Sequence, residues 1–141
     1  MSSNIILASS DQEISACYQV MAELRPHVTR EKFLRRVRRQ SEIANYRLAC
    51  LIEQDVKAVA GFRISENLAW GKFLYVDDLV SGGDDRSRGY GGMLFDWLVD
   101  HAREQSCEQL HLDSGVQRFG AHRFYLMKRM EIQAHHFGLK L

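Results

Sequence analysis

Two periods of apolar and polar positions alternate along this chain, and the switches between them mark its elements. Residues 5–8 form a short apolar run that ends in Ser9, Ser10 and Asp11, a strand leading into a helix cap. Ile14, Cys17, Tyr18, Met21 and Leu24 then recur at helical spacing, and Pro26 ends that helix. Thr29 is placed to cap a second helix alone, because Lys32 supplies no acidic partner for a capping box. The second helix has an apolar side of Phe33, Leu34, Val37 and Ser41, and a basic side of Arg35, Arg36, Arg38 and Arg39. Strand-like segments follow at 46–54, 58–65 and 72–80, with 55–57 a hairpin-length connection and Trp70-Gly71 a turn. Between 89 and 105 apolar residues fall at Tyr90, Met93, Leu94, Trp97, Leu98, His101 and Ala102, the clearest helical period in the chain. Residues 109–113 alternate as a strand, 121–129 read as a short helix, and 132–141 as one or two closing strands. The order β-α-α-β-β-β-α-β-α-β predicts a mixed α/β layer fold.

Composition narrows the class. The 141 residues contain one proline, no repeat and no Pro/Ser-rich linker, which predicts a single domain. A formal net charge of +1 provides no whole-molecule field for nucleic acid or an anionic membrane, so neither is an expected partner. Cys17, Cys50 and Cys107 are odd in number and widely spaced, which disfavours a disulfide framework, a redox dithiol and a zinc site. His135 and His136 are adjacent, a spacing unsuited to two ligands of one tetrahedral metal, and no metal is expected. The N-terminal residues lack the basic and apolar regions of a signal peptide, and a cytoplasmic location with reduced thiols is expected.

The segment Arg86-Ser87-Arg88-Gly89-Tyr90-Gly91-Gly92 lies between a strand and the long helix. Its glycines let backbone approach a ligand closely, and the helix start presents unpaired N–H groups. Those amides and the helix dipole suit a diphosphate, with Arg86 and Arg88 able to add charge. No Gly-Lys-Ser/Thr follows, which disfavours an ATP loop, and the glycines come too late in the chain for a dinucleotide fold.

At this point the sequence resembles the GCN5-related N-acetyltransferases. Arg86-x-x-Gly89-x-Gly91 matches that family's R/Q-x-x-G-x-G/A signature, and Ala121-x-x-Phe124-Tyr125 is similar to its A-x-x-F-Y motif. The spacing between the two, one helix plus one strand, also fits. The resemblance implies a mixed, mostly antiparallel sheet flanked by helices, with a V-shaped split between the fourth and fifth strands. It implies acetyl-CoA as co-substrate, its pyrophosphate on the amides of residues 86–92 and its pantetheine paired with the backbone of Leu79 and Val80. Tyr125 would face the sulfur. The acceptor would be a small-molecule or peptide amine, and the resemblance allows a homodimer. Two positions depart from the pattern. Arg118 stands where the family often has Asn, leaving Ser114 or Arg118 to contact pantetheine, and Arg129-Met130 replaces a Gly-Phe pair.

The chemistry asks for three groups. A lysine-like amine, with a pKa of about 10.4, must lose a proton. Asp77 and Asp78 lie near the end of the bordering strand, and alternation allows at most one to face the acceptor. The oxyanion needs a preplaced donor, for which a backbone amide near Leu79 or Val80 serves. Tyr125 can donate to the departing thiolate. His111 and Asp113 would share a strand face, and the basic helix side, with Arg30, could take an acidic acceptor or CoA phosphates or be solvated. A different class of function, a non-catalytic acyl-CoA-binding regulatory module, would use the same glycine loop without Tyr125 chemistry.

Overall fold

Ser10 opens the first helix with a full capping box: its hydroxyl accepts from the Glu13 N–H at 3.1 Å, and the Glu13 carboxylate accepts from the Ser10 N–H at 3.0 Å. The computed structural model describes residues 4–83, 86 and 88–141. They fall into two compact units divided after His111.

In the first unit, the helical run predicted as one helix is two, α1 (Asp11–Ala16) and α2 (Tyr18–Leu24). The break is a tight turn in which the Cys17 N–H donates to the Ile14 carbonyl at 3.0 Å. Thr29 takes the extended N-cap conformation before α3 (Arg30–Ala44), but its hydroxyl makes no capping hydrogen bond. Asn45 ends α3 in the left-handed conformation, φ +58°, with its N–H on the Gln40 carbonyl.

The sheet order is β1 (Asn4–Leu7), β2 (Tyr46–Glu53), β3 (Asp55–Asn67), β4 (Gly71–Ser81) and β5 (Gln109–Leu112), and the first three pairings are antiparallel. The β2–β3 connection is shorter than predicted. Residues 55–57 already belong to β3, and Gln54 alone makes the reversal at φ +74°.

One face of the sheet carries Leu48, Cys50 and Val59, buried against Ile14, Val20, Met21, Phe33 and Val37 from α1, α2 and α3. The other face packs on α4 (Tyr90–Glu104), whose Leu94, Leu98 and Ala102 are buried. There Phe62 meets Trp97 and His101 edge-on at 6.3 and 5.5 Å. Each fully buried leucine contributes about 1.5–3 kcal/mol relative to exposure. Burial also holds the His101 imidazole below its usual pKa.

The second unit contains α5 (Phe119–Met127), which starts two residues before the predicted 121–129 helix. Lys128, Arg129 and Met130 N–H groups close its end on the carbonyls of residues 124–126. The predicted closing strands are not formed: residues 131–141 carry no strand. Ile132, Phe137 and Leu139 are largely exposed, so alternation there buries no face to stabilise one. Among the described residues, no helix is long and apolar enough to cross a membrane.

Candidate active site

Asp77 and Asp78 sit at an irregularity in β4. Gly61 pairs with Asp78 while Phe62 pairs with Val76, so Asp77 is an extra residue, a β-bulge. The bulge breaks the alternation expected from sequence and turns both carboxylates to the face covered by α2 and α3. Asp77 accepts a two-pronged contact from Arg63, at 2.8 and 3.0 Å. Arg63 lies over the Tyr75 ring and is the cross-strand partner of Tyr46. Asp78 accepts from the Tyr46 hydroxyl at 2.8 Å and from Arg25 Nε at 2.8 Å, while Arg25 Nη2 donates to the Asp77 carbonyl at 2.9 Å. Only Asp78 of the two lines a cleft of about 200 Å³ between the α2–α3 joint and the sheet.

Gly61 makes this arrangement fit. A Cβ there would lie 1.8 Å from the Tyr46 hydroxyl oxygen and 2.6 Å from Asp78 Oδ2. Burial, and next the neighbouring Asp78 carboxylate, hold the Tyr46 phenol well above its usual pKa, so it stays a donor. A glycine inside a strand pattern was the available signal for a close approach or a bulge.

The cleft sorts the basic residues of α3. Arg38 pairs with Asp11, and Arg30 lies over the Tyr18 ring at 4.8 Å. Arg36 lines the cleft with Arg25, His27 and Gln40, while Met21, Phe33 and Val37 form its apolar wall.

The glycine loop is open where it is described. Gly89 is the N-cap of α4 at φ +85°, a conformation natural to glycine, and among the described residues nothing lies within 4 Å of where its Cβ would be. A Cβ on Gly91 would make only ordinary contact, at 3.9 Å from Ser81 Oγ. Tyr90 is buried, while Gly91 and Gly92 are half-buried. Arg86 is held by Glu23 at 3.1 Å, and the same carboxylate accepts the Gly83 N–H. Ser87 lies outside the described residues. Arg88 is exposed, and Leu79 and Val80 continue β4 opposite Ala60 and Val59.

In the second unit, the Ser114 hydroxyl is buried without a hydrogen-bond partner among the described residues. Burial pushes the Tyr125 phenol above its usual pKa, and Arg118 partly offsets this. His111 and Asp113 do not share a strand face as predicted, because β5 ends at Leu112. His111 stacks flat on Trp70 at 3.5 Å between centroids, and Asp113 contacts His136 Nδ1 at 2.8 Å.

A mixed, mostly antiparallel sheet whose bulged fourth strand leads to a glycine-opened helix start, with A-x-x-F-Y beyond the fifth strand, defines a class: the chain belongs to the GNAT family of acetyltransferases. The family model, Acetyltransferase (GNAT) family, matches residues 12–130. An uncharacterized N-acetyltransferase of Bacillus subtilis, YhdJ, is 36% identical over 121 residues, covering 85% of each chain. Two solved structures share the fold at low identity. A ribosomal-protein-alanine N-acetyltransferase of Brucella melitensis superposes with TM-score 0.83 at 15% identity, over 100% of both chains. A glucosamine-6-phosphate N-acetyltransferase of Arabidopsis thaliana gives 0.77 at 20% identity, over 99% of both. The names of those two carry different acceptors, so the fold alone does not select one.

Proposed function

We propose that the chain is a single acetyltransferase domain that transfers an acyl group from acetyl-CoA to an amine, without a metal and in the cytoplasm. The observation that carries this reading is the open helix start at Gly89, where amides and dipole face space that a side chain would otherwise fill. Bound acetyl-CoA supplies an activated thioester.

The amides around residues 88–92 hold the pyrophosphate, with Arg88 adding charge and Ser87 assigned to the same loop by the motif. Arg86 steadies the loop through Glu23. Leu79 and Val80 present backbone groups to the pantetheine arm, and an amide there serves the developing oxyanion. The family pattern assigns the arm a further contact at Ser114, whose hydroxyl has no hydrogen-bond partner among the described residues. Asp78, on the cleft floor, draws in the amine and takes its proton directly or through water. Asp77, gripped by Arg63, holds the bulge instead. Tyr125 protonates the leaving sulfur, and its raised pKa keeps it a donor through neutral pH.

A Tyr125→Phe variant tests the assignment in an amine panel. A fall in kcat of about 10²-fold or more, with coenzyme A affinity unchanged by calorimetry, is the expected result for a lost general acid. Wild-type kcat in the variant would remove Tyr125 from the chemistry. Coenzyme A binding with no turnover of any amine by the parent would indicate a non-catalytic acyl-CoA-binding module.

A further inference from the structure

We infer that the cleft over Asp78 selects amine acceptors that also carry an oxyanion, a carboxylate or a phosphate, and that Arg36 is the residue that reads it. This rests on the transferase reading above.

The charges lining the cleft are two guanidinium groups, Arg25 and Arg36, against one carboxylate, Asp78. Arg25 is occupied by Asp78 and by the Asp77 carbonyl, whereas Asp78, 12% exposed and accepting one bond at each oxygen, keeps lone pairs for an incoming N–H. Arg36 is different. It has no ion pair or hydrogen bond among the described residues, while Arg38 on the same helix is tied to Asp11. A guanidinium without a carboxylate, at the rim of a concave site, offers a planar two-point donor for a carboxylate or phosphate. His27 and Gln40 line the same cleft and can donate to the same group. The floor is the opposite in character: Asp78 attracts a cationic amine. The two ends therefore sort an ammonium inward and an anion outward, in a space of about 200 Å³ that suits a small molecule. A diamine would place its second cation against Arg36, and like-charge contact disfavours it.

The test uses the full chain, acetyl-CoA and matched amine pairs: an α-amino acid against its amide, 2-aminoethyl phosphate against ethanolamine, and a diamine. The anionic member of a pair is expected to have the lower KM, and the two arms separate carboxylate from phosphate. Arg36→Gln should raise KM for that anionic amine roughly ten- to a hundredfold, while the neutral amines and the KM for acetyl-CoA stay unchanged. Arg36→Lys should recover part of the loss. Calorimetry of the N-acetylated anionic product, with coenzyme A present and absent, should give an affinity that Arg36→Gln weakens. Equal KM values within every pair, a preferred diamine, or an anion preference that survives Arg36→Gln would overturn the inference. Coenzyme A binding without anion preference overturns this inference alone. Arg36-dependent anion binding in a protein that gives no heat with coenzyme A overturns the transferase reading and leaves the anion site standing.

Discussion

Replacing Gly61 with alanine adds one methyl group where the sheet has no room for it. The new Cβ would stand 1.8 Å from the Tyr46 hydroxyl oxygen, 2.4 Å from its ring carbon and 2.6 Å from Asp78 Oδ2. Tyr46 is 4% exposed and packed in the core, so the ring cannot simply swing out. Overpacking of this kind costs about 1–3 kcal/mol. Displacing the hydroxyl also breaks its bond to Asp78, and a hydrogen bond to a charged group is worth about 1.5–3 kcal/mol. The expected loss is therefore roughly 3–5 kcal/mol, a fall in Tm on the order of 10 °C for a chain of this size. Thermal unfolding by circular dichroism measures it. The cycle with Tyr46→Phe sharpens the reading. That variant lacks the atom nearest the new methyl, so the double variant should lose clearly less than the sum of the singles. A Gly61→Ala protein within about 2 °C of the parent would refute the argument, as would additive losses.

Three further outcomes follow from the geometry. Ser10→Ala removes the hydroxyl half of the α1 capping box and should cost about 1 kcal/mol in denaturant unfolding, with no change in coenzyme A affinity. Gly89→Ala forces a left-handed conformation on a residue with a Cβ, a cost of about 1–2 kcal/mol. Its methyl enters the proposed phosphate cradle, so calorimetry should show coenzyme A binding at least tenfold weaker. His101 has a depressed pKa in the folded state, so as pH falls through the unfolded value of about 6.5 the unfolded chain takes up the proton first and stability declines. A Tm-versus-pH curve should therefore fall less steeply below that pH for His101→Gln than for the parent.

Much of this architecture was legible in the order of residues. Each predicted strand up to β5 and the long amphipathic helix after the glycine loop are present, because a buried face enforces its own period. The departures come from contacts that no local pattern encodes. The turn at Cys17 keeps both α1 and α2 against the core, and nothing in the helical spacing of Ile14 to Leu24 announces it. Gln54 adopts a positive φ without being glycine, which hides a one-residue reversal. At the site, Asp77 and Asp78 were identifiable as candidates, but their facing was not, since a bulge is a property of two strands at once. Arg36 was marked on the basic helix side and Arg25 stands at the helix joint, but Tyr46 carried no signal, and the three come from different elements that meet only around the cleft. Gly61 was the clue to their close approach, and it marked a place rather than a partner.

The crowding around Gly61 has a historical consequence. Because the Tyr46 ring occupies the space a side chain at 61 would need, the order in which the two positions change matters. A lineage that first trades the tyrosine for something smaller opens the floor to enlargement at 61, and with it a different acceptor. One that begins at 61 stalls on a protein that folds poorly. Remodelling of this site is a one-way street whose entrance is the aromatic ring.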